Sequence, residues 1–203
     1  METVPTLRTR RLLLRPWRME DLHPLASMNA DSEVMRYFPA VLDRQASAAM
    51  MARNDAHVRR HGFGWWAIET PGGTDFAGAV SLQLAGFEAH FTPCFEIGWR
   101  LPKRFWGMGY ASEAANVVAN FAFDDLLLDK LIAMTAHHNH RSRKVMRRLG
   151  MSYRPEDDFG HPLVAFDHPL RHHVLYRLSR NDRRDTGSGG GFNLEIESDE
   201  PGR

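Results

Sequence analysis

The stretch RFWGMGYA (104–111) decides the fold, because it joins a strand to a long apolar helix through two glycines. From Ala111 to Ala122 the apolar residues recur with the helical period, which predicts a helix that begins where the stretch ends. Gly107 and Gly109 in front of this helix have two explanations. They form a simple turn, or they leave the backbone bare so that a phosphate can reach the N–H groups of the helix start.

The strands on either side of this helix indicate a β-α-β crossover. FEIGWRL (95–101) precedes the glycines, and KLIAMTA (130–136), apolar on both faces as in a buried central strand, follows the helix. In a regular strand Glu96, Gly98 and Arg100 share one face. A glycine inside a strand marks either a bulge, which would change this alternation, or a close approach by another group.

The remaining elements predict an α+β (mixed α/β) fold, with one domain at residues 1–180. Periodicity and turn residues predict a first strand at 7–17, helices at 18–30 and 43–62, strands at 64–69 and 76–84, a short helix at 139–150 and a last strand at 173–179. Pro71, Gly72 and Gly73 predict that the strands around them form a hairpin.

Residues 181–203 differ from the rest of the chain in composition. They combine the linker-like GSGGG (187–191) with an acidic remainder, which predicts a disordered tail. FNLEIE (192–197) has an alternative as an added strand against a sheet edge.

Composition excludes several classes of protein. The 26 Lys and Arg residues nearly balance the 25 Asp and Glu residues, which gives no general reason to expect a nucleic acid partner. The single cysteine, Cys94, rules out an intrachain disulfide framework and fits a reducing compartment. The N-terminus lacks the apolar core of a signal peptide, and the run VVANFAF (117–123) is too short to cross a bilayer. We expect a cytoplasmic protein without membrane association, either monomeric or homodimeric.

Two nucleotide-binding motifs contain similar glycines and can be excluded. A Rossmann loop needs a third glycine where this chain has Ser112. A P-loop needs a lysine directly after its last glycine, and this chain has none there. After these exclusions, the remaining functional interpretation of the glycines is a phosphate site at the helix start. We expect Arg100, Lys103 and Arg104 to add positive charge to it.

Several ordered motifs resemble those of one family. Arg104-x-x-Gly107-x-Gly109-Tyr110-Ala111 is similar to the Arg/Gln-x-x-Gly-x-Gly/Ala signature of the GNAT acetyltransferases, and FEIGWRL resembles the strand before that signature. Asn139-x-x-Ser142 lies where the branch of ribosomal-protein N-terminal (alanine/serine) acetyltransferases has its Asn-x-x-Ser helix. The resemblance spans about residues 7–179. It implies the GNAT-type acyl-CoA N-acyltransferase fold, a mixed, mostly antiparallel sheet flanked by helices with one coenzyme A-binding βαβ crossover.

The resemblance implies acetyl-CoA (coenzyme A) as cofactor. Backbone N–H groups of the glycine loop, residues 104–109, and of the helix start would hold its pyrophosphate. The strand ending at Leu101 would pair with the pantetheine arm, and Asn139 and Ser142 would face that arm. The implied cofactor-binding residues are Trp99, Arg100, Leu101, Arg104, Phe105, Trp106, Gly107, Met108, Gly109, Tyr110, Ala111, Asn139 and Ser142.

The implied reaction is attack of a neutral amine on the thioester carbonyl, with departure of the thiolate. A free thiol ionises near pH ~8.5, so no strong acid is needed, and positioning supplies much of the acceleration. Glu96 is the candidate general base, directly or through water, and its alternative is a surface carboxylate. Ser142 is the second catalytic candidate, and its alternative is a serine that caps the helix backbone.

Position 146 leaves two functions open. Many GNAT enzymes carry a tyrosine general acid seven residues after the Asn, where this chain has Met146. The first function is an N-acetyltransferase that moves acetyl directly to a primary amine, on a peptide or protein N-terminus or a small molecule. The alternative is a GNAT-like domain that binds acyl-CoA as a sensor or scaffold without turnover.

No metal site is expected from the histidines of HHNH (137–140), His172 and His173. Neighbouring strand histidines point to opposite faces, and no cysteine or His-Glu helix motif supports a site. Arg143 and the other basic residues of the 139–150 helix are either solvated or close to the 3′-phosphate of coenzyme A.

The acceptor side is implied by the resemblance alone. Residues 154–173 and the early helices, including 31–39, would line it.

Overall fold

One mixed sheet organises the part of the chain that the computed structural model describes, residues 4–70, 72 and 76–182. Its strands are β1 (Leu7–Arg8), β2 (Leu13–Arg15), β3 (Trp65–Glu69), β4 (Gly78–Leu84), β5 (Phe95–Arg100), β6 (Lys130–Ala136), β7 (Ser152–Tyr153), β8 (Phe159–Gly160) and β9 (His172–Ser179). Their order is β1-β2-β3-β4-β5-β6-β9-β7, and β8 also pairs with β9. The helices are α1 (Leu22–Ala30), α2 (Arg44–His61), α3 (Tyr110–Asp124) and α4 (His140–Arg148).

The predicted crossover is confirmed, because β5, α3 and β6 follow one another and β5 pairs with β6 in parallel. The apolar stripe of α3 lies against the sheet and is buried from Ala114 to Phe123. Phe121 meets Trp66 of β3 edge to face, with ring centroids 5.8 Å apart. All the other strand pairs are antiparallel.

The sheet opens between β5 and β6. Among the described residues these strands share one register pair, Glu96 with Ile132, whereas β4 and β5 pair at six positions and β6 and β9 at seven. Beyond Glu96 the backbone of β5 is therefore unpaired on its β6 side. Its N–H and C=O groups there are available to a ligand in extended conformation.

The two faces of the sheet carry different helices. Trp66, Ile97 and Ala133 lie in one buried cluster with α3 and α4, while Ala67 packs with α1 and α2 in another. The register between β4 and β5 is continuous, so Gly98 is not a bulge. It marks a close approach instead, because a Cβ there would lie 2.9 Å from Ser81 Oγ. The face that carries Glu96, Gly98 and Arg100 and packs under α1 and α2 is called the acceptor face below.

The prediction of one strand at 7–17 is wrong, since the segment forms β1, a tight turn and β2. The side chain of Thr9 accepts from the Leu12 N–H at 2.9 Å and donates to Glu113 Oε1 at 2.5 Å, which draws the polar turn towards α3. The sequence analysis also missed β7 and β8, whose two residues each are too short for an alternation pattern.

Two predictions fall wholly or partly outside the described residues: the turn at Pro71 and Gly73, and the disordered tail with its alternative strand at 192–197. The pairing of β3 with β4 confirms the hairpin itself. Within the described ranges, every helix is too short or too polar for a membrane span.

Candidate functional site

The glycine loop requires glycine at both positions for conformational reasons. Gly107 has φ +81° and Gly109 has φ +83°, in the left-handed region that costs other residues about 1–2 kcal/mol. Gly109 is the residue directly before α3. The two glycines thus turn the chain sharply from the end of β5 into the helix.

The polar groups at the start of α3 point to an anionic ligand. The first described helical bond in this turn runs from the Glu113 N–H to the Gly109 carbonyl, so the preceding N–H groups have no acceptor in the helix. The Ser112 hydroxyl is buried without a partner among the described residues. A Cβ on Gly107 would meet nothing within 4 Å, so the loop is open on that side. These features fit the pyrophosphate of coenzyme A.

Arg11, which the sequence analysis missed, braces this loop. Its Nη1 donates to the Met108 carbonyl at 3.0 Å, and its Nε donates to Glu113 Oε2 at 2.7 Å. Burial alone would raise the pKa of Glu113, but hydrogen bonds from Thr9 and Arg11 outweigh burial and lower that pKa. No sequence signal connects Arg11 with a loop so distant along the chain.

Trp106 ties the loop to the sheet. Its Nε1 donates to the Leu101 carbonyl at 2.8 Å, and its ring packs against both buried clusters. The Arg141 guanidinium of α4 lies 4.3 Å from the centre of that ring. Arg141 therefore brings a cation to the loop, and Arg104 is exposed there beside Phe105.

Two of the cations expected at the loop lie elsewhere. Arg100 is buried on the acceptor face, where Nη1 donates to Asn29 Oδ1 at 2.6 Å and the guanidinium lies 4.2 Å from the centre of the Phe38 ring. The strand alternation directs its side chain to that face. Lys103 forms an ion pair with Glu33. The expected charge contribution of Arg100 to the loop is therefore wrong, and the charge of Lys103 is shared with Glu33.

Asn139 and Ser142 have different roles at the start of α4. Asn139 Oδ1 accepts from the Ser142 N–H at 3.2 Å, and Asn139 Nδ2 donates to Thr135 Oγ1 at 2.9 Å. Asn139 is thus the helix cap, so the alternative in which the Ser142 side chain caps the helix is wrong. Met146 is buried in the core with 1% exposure.

Glu96 lies at the point where the sheet opens, next to Gln83 of β4 and Ile132 of β6. Its side chain is partly accessible, but burial raises the pKa of the carboxyl from 4.5 to about 7. Burial and the raised pKa distinguish this carboxyl from an ordinary, fully exposed surface carboxylate. The thiol of Cys94, two residues earlier, stays protonated at neutral pH, because burial and then the charge of Glu96 raise its pKa to about 11.

Glu96 has different neighbours on the two flanks of the acceptor face. On one flank, α1 and α2 pack with Ala67 of β3, and a cavity of about 320 Å³ lies there, lined by Met50, Arg53, Asn54, His57, Trp65 and Gln83. On the other flank, Asp157 binds Arg177 of β9 with a 2.7 Å contact. Phe159 there packs on Phe87 and Phe91 of the β4–β5 loop, with ring centroids 6.3 and 4.8 Å away.

The histidines are divided between the two faces, as the strand alternation predicts. His173 contacts His161 and Phe159 near the acceptor face, whereas His172 stacks on His137 on the α4 side. Arg143 also lies on that side, donating to the His137 carbonyl at 3.1 Å, so its side chain points away from the glycine loop.

Comparisons with known proteins show which family has this arrangement of strands, helices and glycine loop. A family model described as an acetyltransferase (GNAT) domain matches residues 11–152. The Aspergillus fumigatus FsC-acetyl coenzyme A-N(2)-transacetylase is 31% identical over 157 residues, which are 73% of this chain and 66% of that protein. An acetyltransferase structure from Agrobacterium tumefaciens has 26% identity and a TM-score of 0.70, covering 88% of this chain and 96% of that one.

A structure of Mycobacterium smegmatis RimJ in complex with CoA-disulfide has 20% identity and a TM-score of 0.69, covering 89% of this chain and 88% of that one. These likenesses confirm the predicted fold, a mixed and mostly antiparallel sheet flanked by helices. Because the family model spans most of the sequence, the chain belongs to the GNAT family of acetyl-CoA-dependent N-acetyltransferases.

Proposed function

We propose that this enzyme transfers acetyl directly from acetyl-CoA to a primary amine that enters along the acceptor face. The observation that carries the proposal is the helix start behind Gly107 and Gly109, whose free N–H groups lie beside the unpaired edge of β5. The pyrophosphate would bind the N–H groups of the loop, and the pantetheine arm would pair with β5 beyond Glu96. Acetyl-CoA supplies the acetyl group as an activated thioester.

Glu96 serves as the proton acceptor for the attacking amine. A pKa of about 7 lets the carboxyl accept a proton at neutral pH, and its place at the opening of the sheet puts it on the acceptor face. The Ser142 hydroxyl, which makes no hydrogen bond within the described chain, would donate to the thioester carbonyl or to the leaving sulfur. Tyrosine acid catalysis is not part of this proposal, because position 146 is a buried methionine.

Two kinds of acceptor are compatible with this proposal. The resemblance of Asn139-x-x-Ser142 to the ribosomal-protein N-terminal acetyltransferases favours a peptide or protein N-terminus, and the second kind is a small-molecule amine. A panel containing both kinds, with thiol release from acetyl-CoA as readout, separates them. Tight acetyl-CoA binding without turnover on the whole panel would replace the enzyme proposal by the sensor function that Met146 motivates.

A matched pair of variants tests the cofactor site. Gly107 and Gly62 both have positive φ, +81° and +74°, and a Cβ on either meets nothing within 4 Å. Gly107→Asp and Gly62→Asp therefore carry similar backbone strain, but only Gly107→Asp adds negative charge to the glycine loop. We expect acetyl-CoA affinity, measured by calorimetry, to fall at least about tenfold in Gly107→Asp alone. Equal affinity in the two folded variants would show that the site is misplaced.

A further inference from the structure

Three potential metal ligands meet on the side of the sheet opposite the acceptor face. His137 follows β6, Asp158 precedes β8, and His172 is the first residue of β9. One ligand atom from each lies within 4.8 Å of the other two. His172 Nε2 lies 3.2 Å from Asp158 Oδ2, and the rings of His137 and His172 stack at 4.7 Å.

Two polar atoms of this cluster are buried without a partner in the described chain: Nδ1 of His137 and Oδ1 of Asp158. Each unsatisfied buried polar atom costs about 1–3 kcal/mol, so such atoms point to a group that is not part of the protein. A cation satisfies both acceptors together, whereas an anion would be repelled by the carboxylate.

The residues around this cluster favour a bound cation. The Tyr153 hydroxyl donates to Asp158 Oδ2 at 3.1 Å and so orients the carboxylate. Arg143 is the competing cation nearby, but its described hydrogen bonds go to the His137 carbonyl and the Tyr176 hydroxyl.

We propose that His137, Asp158 and His172 form a binding site for one divalent transition-metal ion of the zinc type. Two imidazoles and one carboxylate suit Zn²⁺, Co²⁺ or Ni²⁺, and the exposed side of His172 leaves room for water to complete the coordination. Metal–ligand bonds of about 2.1 Å require the ligand atoms to move somewhat closer together, which small rotations of the three side chains provide.

The position of the site gives it a structural consequence. The ion would connect the ends of β6 and β9 to residues 154–160, whose other side holds Arg177 through Asp157 at one flank of the acceptor face. Binding would therefore stabilise the folded chain and this flank, without taking part in acetyl transfer.

Calorimetric titration of the metal-stripped full chain with ZnCl₂ and with CoCl₂ tests the site. We expect one ion per chain, a higher midpoint of thermal unfolding with Zn²⁺, and visible absorption bands with Co²⁺. Asp158→Asn and His172→Ala should each weaken binding at least about tenfold. His23→Ala, which removes an exposed histidine of α1, is the matched control and should bind as the wild type does.

Absence of saturable binding to the wild type would overturn the proposal. So would binding that Asp158→Asn and His172→Ala leave unchanged, since other histidines would then be the ligands. Because the His172 side chain is exposed and Asp158→Asn keeps the shape of the side chain, both variants are expected to fold, which circular dichroism checks.

Discussion

At the scale of single residues, Glu96 shows how its surroundings change an ordinary carboxyl. The alternation of β5, together with its continuous register on β4, places this side chain on the same face as Gly98 and Arg100. The raised pKa has a different origin, because it comes from burial between β4 and β6, two strands far apart in the sequence.

The pH dependence of acetyl transfer tests the proposed role of Glu96. A general base must be ionised, so kcat/KM should rise with pH and level off above the pKa of about 7. In Glu96→Gln this rising limb should disappear and kcat should fall about 10²-fold or more, while the affinity for acetyl-CoA stays close to that of the wild type. If Glu96→Gln kept the rising limb of kcat/KM against pH, a group other than Glu96 would be the one that titrates.

The stability of the wild-type protein depends on pH in a direction that the pKa of Glu96 predicts. In the unfolded chain Glu96 ionises near 4.5, and in the folded chain near 7, so between these values the folded state holds more protons. The free energy of unfolding should therefore fall as pH rises from 4.5 to 7, by at most about 3 kcal/mol and by less where solvent reaches the carboxyl. Glu96→Gln should lack this loss, which urea unfolding at pH 4.5 and pH 8 measures for both proteins.

At the scale of elements, the turn between β1 and β2 supports the glycine loop. Arg11 connects the turn to the Met108 carbonyl and to Glu113 of α3. Arg11 of the turn and Met108 of the loop are 97 residues apart in the sequence, yet they meet because α3 packs beside β1 in the fold.

Arg11→Met tests this support. Loss of the bonds to Met108 and Glu113 should weaken acetyl-CoA binding by about fivefold, since these partly exposed contacts contribute roughly 1 kcal/mol. Arg10→Met changes the neighbouring exposed residue of the same turn and should leave the affinity unchanged. Equal affinity in both variants would limit Arg11 to a role in stability.

At the scale of the whole molecule, the described fold ends with contacts made by Arg180. Its Nη2 donates to the Leu128 carbonyl at 2.9 Å, and its N–H donates to the Asp129 carbonyl at 3.0 Å, which fixes the end of β9 beside the start of β6.

Two truncations test where the folding unit ends. Removal of residues 183–203, whose composition predicts a disordered tail, should leave the unfolding midpoint and acetyl transfer unchanged. Removal of residues 180–203 also deletes the contacts of Arg180 and should lower stability by about 1–3 kcal/mol. A large loss of stability on removal of residues 183–203 alone would show that the tail packs on the domain.

Local patterns in the sequence were sufficient to predict much of the fold. The period of α3 and the glycines at 107 and 109 depend on neighbours within a few residues, so they predict the crossover and a helix start suited to phosphate. The face of Glu96 stayed open in the sequence, because only the continuous register of β4 and β5 excludes a bulge at Gly98. The turn at Thr9 and the two-residue strands were not predictable in this way, because pairing with distant strands and with Glu113 decides them.

Only the tertiary structure decided which charged and polar groups meet. It directs Arg100 to Asn29 and brings Arg11 to the glycine loop, and it gathers His137, Asp158 and His172 into one cluster. The physical reason is that a residue's type and spacing fix its face on a strand or helix. Its desolvation and its hydrogen-bond partners come from segments that only the folded chain brings together.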